Sequence, residues 1–253
     1  MLAPQALQSA SVLGHGAVSG VIPLNDENLP TSRPVITLGL MIALGCVFIW
    51  ELALDPTRRE AAMHMFGVTP ALLFGNVPAS ALHAQVPVWL TPVSAMFLHG
   101  GALHLAGNLL YLWIFGDNVE DAMGRIRFIL FYLSCGAIAA WAHAATAPDS
   151  MIPMIGASGA ISGVLGAYLV LYPNARVLVL IPLGLFAEMV YLPAVVVLGF
   201  WFLLQIVSAH FADAGAPGVA WMAHVAGFAA GIALLPLFKD RGGRRGRYGR
   251  PRK

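Results

Sequence analysis

The sequence is short of charge. Asp, Glu, Lys and Arg supply 10% of its 253 residues, against about 25% in soluble domains, and that shortage excludes an ordinary water-soluble globule. Cysteine is almost missing: Cys46 and Cys135 are the two present, both inside apolar runs. They supply neither a disulfide framework nor zinc-type spacing, and both read as packing residues. The first 34 residues lack the basic and apolar regions of a cleavable signal peptide, so the first hydrophobic segment is expected to act as an uncleaved anchor. No internal repeat stands out. What is abundant is hydrophobic sequence, 58% of the chain, with a mean hydropathy of +0.77. The composition points to an all-α polytopic membrane protein with one membrane domain.

Taken in order, residues 1–34 are mixed in Ser, Gly, Asn and Pro and are expected to be a flexible cytoplasmic segment. A first span is expected over 36–54, with Glu51 near its end. Residues 55–92 scatter Arg58 and Arg59 among Met, Leu, Phe and Trp, a mixture suited to a membrane-associated loop. A second uncharged run covers 89–116 and stops at Asp117, Glu120 and Asp121; a third covers 128–147. The uncharged run 150–175 contains Pro153 and Gly156, so it reads as a loop ending near Ala157 and a short helix over 158–171. Residues 177–190 are apolar but interrupted by Pro182, Gly184 and Glu188, which suggests a re-entrant or interfacial piece. Further spans are expected over 192–209 and 218–238, before a basic tail, 239–253. The domain organisation is thus a segment 1–34, a six-helix membrane domain 35–238 and the tail.

Six spans put both termini on one side. Eight of the fourteen Lys and Arg residues lie in the tail, and Arg33, Arg125, Arg127 and Arg176 fall on the same face. The positive-inside rule makes that face cytoplasmic and sets residue 158 toward the outer face of an inner or plasma membrane. The tail reads as an anchor on anionic lipid rather than a nucleic-acid binder.

Ionisable residues inside spans are functional candidates by default. His104 and Asn108 lie four apart on one helix face, with His99 at that helix's start. Ser158 stands between Ala157 and Gly159 at a buried helix start, where free N–H groups and a positive dipole end favour developing negative charge. Gly159, Gly163 and Gly166 form a small-residue face on that helix. His224, Gly227 and Gly231 share a face of the last span. Two such faces allow close helix approach, and with it Ser158 and His224 are expected to be able to meet. Neither span contains Asp or Glu, so a Ser–His dyad is what these helices can build. Ser162 reads as a back-bonded helix serine, and His143 as structural.

Three motifs stand in order on alternate spans: His99-Gly100-Gly101-x-x-His104-x-x-x-Asn108, Gly156-Ala157-Ser158-Gly159, and Ala223-His224-x-x-Gly227-x-x-x-Gly231. With them the chain resembles the rhomboid intramembrane serine proteases over roughly 36–238. The resemblance implies Ser158 as nucleophile and His224 as its base. It implies an oxyanion site from His104, Asn108 and the Ser158 N–H, and structural support from Gly156, Gly159, Gly163, Gly227 and Gly231. It implies cleavage of single-span or other membrane-protein substrates without cofactor or metal. Two positions depart from the family pattern. Trp89-Leu90 stands where many members have Trp-Arg. Ser162 stands where some have a Tyr stacked on the catalytic His, so the resemblance supplies no partner for the His224 ring. Two other readings use the same residues: a non-catalytic binder of transmembrane clients, and a haem or ion-conducting protein built on the intramembrane histidines.

Overall fold

The computed structural model describes residues 21–78, 86–183, 186–212 and 218–240. The fold is mostly helical and polytopic. The principal helices are α1 (Val35–Ala53), α5 (Ala102–Met123), α6 (Arg125–Ala144), α7 (Ser158–Leu171), α8 (Ala194–Phe211) and α9 (Trp221–Phe238). Between α1 and α5 lie α2 (Pro56–Phe66), α3 (Pro70–Leu73) and α4 (Thr91–Ser94), the last flanked by 3-10 turns at Val88–Leu90 and Ala95–Phe97. Among the described residues, α1, α6, α8 and α9 are each long and apolar enough to cross a bilayer unaided.

Helix α5 corrects the expected limits of the second span. Its uncharged forerunner, 89–101, is the one-turn helix α4 with its flanking 3-10 turns and a loop, and the helix runs on through Asp117, Glu120 and Asp121 to Met123. The acidic end is tolerated because its carboxylates are occupied. Helix α1 begins after Pro34 with no side-chain cap of its own. Buried Glu120 supplies one, accepting from Ile36 N–H at 3.0 Å and from Thr37 N–H and Oγ1–H at 2.8 Å each. A carboxylate at a helix start satisfies orphan donors and the dipole together. Asp121 does the same for the chain ahead of α1, accepting from Thr31 and Ser32 N–H at 3.0 Å each.

Two other expectations change. Residues 177–183 and 186–190 are not a re-entrant piece; they lie on the paired strands β2 (Arg176–Leu183) and β3 (Phe186–Pro193). The N-terminal segment is not wholly unstructured either: β1 (Ile22–Asp26) pairs antiparallel with β2, giving the order β1-β2-β3. Alternation explains both, since Val177 and Val179 on one face are fully buried and β-branched residues suit a half-buried pleat. Residues 1–20 and 241–253, which hold most of the N-terminal segment and the basic tail, lie outside the described residues.

Helix α7 rises about 21 Å at about 1.5 Å per residue, less than the hydrocarbon thickness of about 30 Å. Its C-terminal end is tied to the sheet by the hydrogen bond from Tyr168 Oη–H to the Asp26 carboxylate. Its N-terminal end carries Ser158. Burial pushes the Asp26 carboxyl up to about 6, against hydrogen bonds that work to lower it.

Glycines set the spacing of the core. A Cβ at Gly227 would lie 2.0 Å from the Gly159 carbonyl oxygen, and one at Gly231 would lie 2.0 Å from that of Gly163. Helices α7 and α9 thus touch backbone to backbone, as the small-residue faces imply.

Candidate active site

The approach to Ser158 is an extended strip pinned from outside. Met154 and Val68 exchange backbone hydrogen bonds of 3.0 and 2.8 Å, and Gly156 N–H donates to Ala95 C=O at 2.8 Å. The segment between α1 and α5 therefore holds the strip in place. Gly156 has φ +118°, a region closed to most side chains, and a Cβ there would lie 2.6 Å from the His104 ring. Both facts require glycine. Helix α7 then opens at Ser158, half-buried and with no side-chain cap on its first turn.

The close packing of α7 on α9 delivers His224. Its Nε2 lies 2.8 Å from Ser158 Oγ. Its Nδ1 lies 2.8 Å from Oε1 of Gln205 on α8, a buried residue whose Nε2–H donates to Trp201 C=O at 3.2 Å. The rings of Trp201 and Trp221 flank His224, each with its centroid 6.0 Å away. Ser162, one turn on, donates its hydroxyl to Ser158 C=O at 2.7 Å rather than to His224. Gln205 and the tryptophans are the partners that motif reading missed. The available signal was a lone amide in an apolar helix, one turn after Trp201, because intramembrane polar groups seek interhelical bonds.

On the other side of Ser158, His104 sits against Gly156. Asn108 is buried on the same helix, its Nδ2 2.9 Å from His99 Nε2. His99 stands in the loop ahead of α5 rather than in its first turn. Its Nδ1 faces Phe97 C=O at 3.3 Å, so Nδ1 carries the proton and Nε2 accepts from Asn108. Buried Glu51 of α1 accepts His99 N–H at 3.2 Å, and Arg59 donates to His99 C=O at 3.4 Å. One Asn108 amide hydrogen is thereby committed to His99. A small pocket walled by Pro92, Ala95, Gly136, Ala139, Gly159 and Ala223 opens beside Ser158.

A family model described as Rhomboid domain matches residues 87–241. The chain is 39% identical over 118 residues to Rhomboid protease GluP of Bacillus subtilis, covering 46% of this chain and 22% of that protein. It is 34% identical over 143 residues to Presenilin-associated rhomboid-like protein A, mitochondrial, of Danio rerio, covering 55% and 35%. To Rhomboid protein 1, mitochondrial, of Saccharomyces cerevisiae it is 31% identical over 93 residues, covering 35% and 27%. The matched parts span at most about a third of these relatives' lengths.

Proposed function

The chain belongs to the rhomboid family, and from that membership we propose an intramembrane serine endopeptidase acting through Ser158 and His224. The observation that carries this reading is the 2.8 Å contact between Ser158 Oγ and His224 Nε2 at the start of α7. His224 Nε2 takes the Ser158 proton as Oγ attacks the scissile carbonyl carbon. The resulting oxyanion is held by the Ser158 N–H, His104 and the second Asn108 amide hydrogen. As the intermediate collapses, His224 gives its proton to the leaving amine, and the substrate's N-terminal part remains as an ester on Ser158. Water then attacks the ester, with His224 taking its proton and returning it to Oγ. No charged third residue is needed, which suits an apolar site where an isolated carboxylate is costly.

Substrates are other membrane proteins, cut in or beside a transmembrane helix. A helix hides its peptide bonds in its own hydrogen-bond ladder, so cleavable segments unwind locally and carry Gly, Pro or small residues near the cut. The alanine- and glycine-walled pocket beside Ser158 supports that preference. In this reading the termini are cytoplasmic, the basic tail faces anionic lipid, and the site opens to the outer face. Purified protein mixed with a single-span substrate in detergent tests it. Cleavage and fluorophosphonate labelling are expected in wild type and absent in Ser158→Ala. Cleavage that persists unchanged in Ser158→Ala refutes the assignment.

A further inference from the structure

We propose that Gln205 is a positioning residue: it holds His224 in the tautomer that can act as a base, and so ties the arming of Ser158 to the seating of α8. The inference rests on the Ser158–His224 reading above.

The two hydrogen bonds of the Gln205 amide decide which of its atoms faces the histidine. Trp201 C=O can only accept, so the atom 3.2 Å from it is the NH2 group. The atom 2.8 Å from His224 Nδ1 is then the amide oxygen, which can only accept. Turning the amide over would set two oxygens against each other. An acceptor at Nδ1 requires the proton on Nδ1, and a neutral imidazole carries one proton. Nε2 is therefore a lone pair, directed at Ser158 Oγ. The opposite tautomer would put N–H against the serine and leave no base. Gln205 is 5% exposed, so water does not compete for the bond.

The residue's address adds a second consequence. Helix α8 buries only Ala194, Val197, Leu198 and Gln205, and leaves Phe200, Leu203, Ile206 and Val207 exposed. It is held to α9 by Phe202 stacked on Phe228 at 4.2 Å and by Trp201 beside His224. Withdrawing α8 by about 1 Å would stretch the Gln205–His224 bond beyond the limit of a hydrogen bond. The base is thus held only while α8 is seated.

The test uses the full chain in detergent, with nitrogen-15 histidine NMR and steady-state cleavage. In wild type the His224 signal, identified by its loss in His224→Ala, is expected as the Nδ1–H tautomer. Gln205→Met keeps length but removes the acceptor. The signal should become a mixture of tautomers, and kcat should fall about tenfold with KM within about twofold, the scale of one neutral hydrogen bond. Gln205→Glu restores an acceptor and adds charge beside Nδ1–H. The acidic limb of the kcat/KM–pH profile should move up by about one unit, because a facing carboxylate favours the imidazolium. The other titratable groups near His224, His104 on α5 and His143 on α6, are unchanged in both variants. An Nε2–H tautomer in wild type overturns the proposal, as does a Gln205→Met protein with wild-type kcat. If Gln205→Met does not fold, the wild-type spectrum and the Gln205→Glu profile still decide. A protein with no Ser158-dependent cleavage, yet with an Nδ1–H tautomer that Gln205→Met abolishes, sinks the protease reading and leaves Gln205 as the residue that holds the tautomer.

Discussion

Adding one methyl group at Gly227 should silence the site while leaving the bundle folded. The new Cβ would start 2.0 Å from the Gly159 carbonyl oxygen, 3.0 Å from its carbonyl carbon and 3.3 Å from Ser162 Cβ. Ordinary van der Waals contact begins near 3.4 Å. The obstacle is backbone rather than a side chain that can turn away, so α9 must retreat by about 1.4 Å. His224 lies three residues before Gly227 on the same face of α9 and travels with it. Its 2.8 Å contact with Ser158 would open to about 4 Å, past hydrogen-bond range. Misplacement on that scale costs about 100-fold in rate, whereas overpacking costs about 1–3 kcal/mol of stability. Gly227→Ala should therefore unfold a few degrees lower in detergent, yet cleave a model substrate about 100-fold more slowly and label poorly with a fluorophosphonate. Gly199→Ala on α8, where a Cβ meets nothing within 4 Å, is the control and should match wild type in both assays. A Gly227→Ala protein with wild-type kcat would falsify the claim that backbone contact between α7 and α9 sets the dyad distance.

Two further outcomes concern the scaffold. Glu120→Ala leaves Ile36 N–H, Thr37 N–H and Thr37 Oγ1 without their acceptor; losing a cap and a buried charge-assisted bond should cost about 2 kcal/mol or more, read as a lowered Tm, and an unchanged Tm would refute the cap. Asp26 ionises near 6 in the fold against 3.8 as its ordinary value, so the native state binds its proton more tightly than the unfolded chain. Stability from this group is therefore greatest below about pH 4, declines as pH rises toward 6, and is flat above. Asp26→Asn should reduce that slope in thermal unfolding measured between pH 4 and 7, and a slope left unchanged by the substitution would show that other groups cause it.

Features legible in the sequence were those carried by short-range spacing. The start of α7 at Ser158 follows from Pro153 and Gly156 interrupting an apolar run, and the structure begins the helix there. The pairing of α7 with α9 follows from glycines repeated at one helical face. The breakers Pro182 and Gly184 hide a hairpin in which Val177 and Val179 alternate on one strand and Val190 and Leu192 face them on the next. The second uncharged run stops at Asp117, and α5 continues past it because Glu120 and Asp121 find partners far along the chain, at Ile36, Thr37, Thr31 and Ser32.

Composition and periodicity alone determined a helical membrane protein, a serine at a helix start, and a histidine on a face able to reach it. Those properties depend on local dihedrals and on which residues lipid accepts, and both are written within a turn or two of chain. Only the tertiary structure decided what holds the histidine. Gln205 is 19 residues from His224 and on another helix, and Glu120 caps a helix that begins about 84 residues earlier. Such bonds exist because the packed backbones bring distant residues within 3 Å, and no spacing rule along the chain encodes that approach.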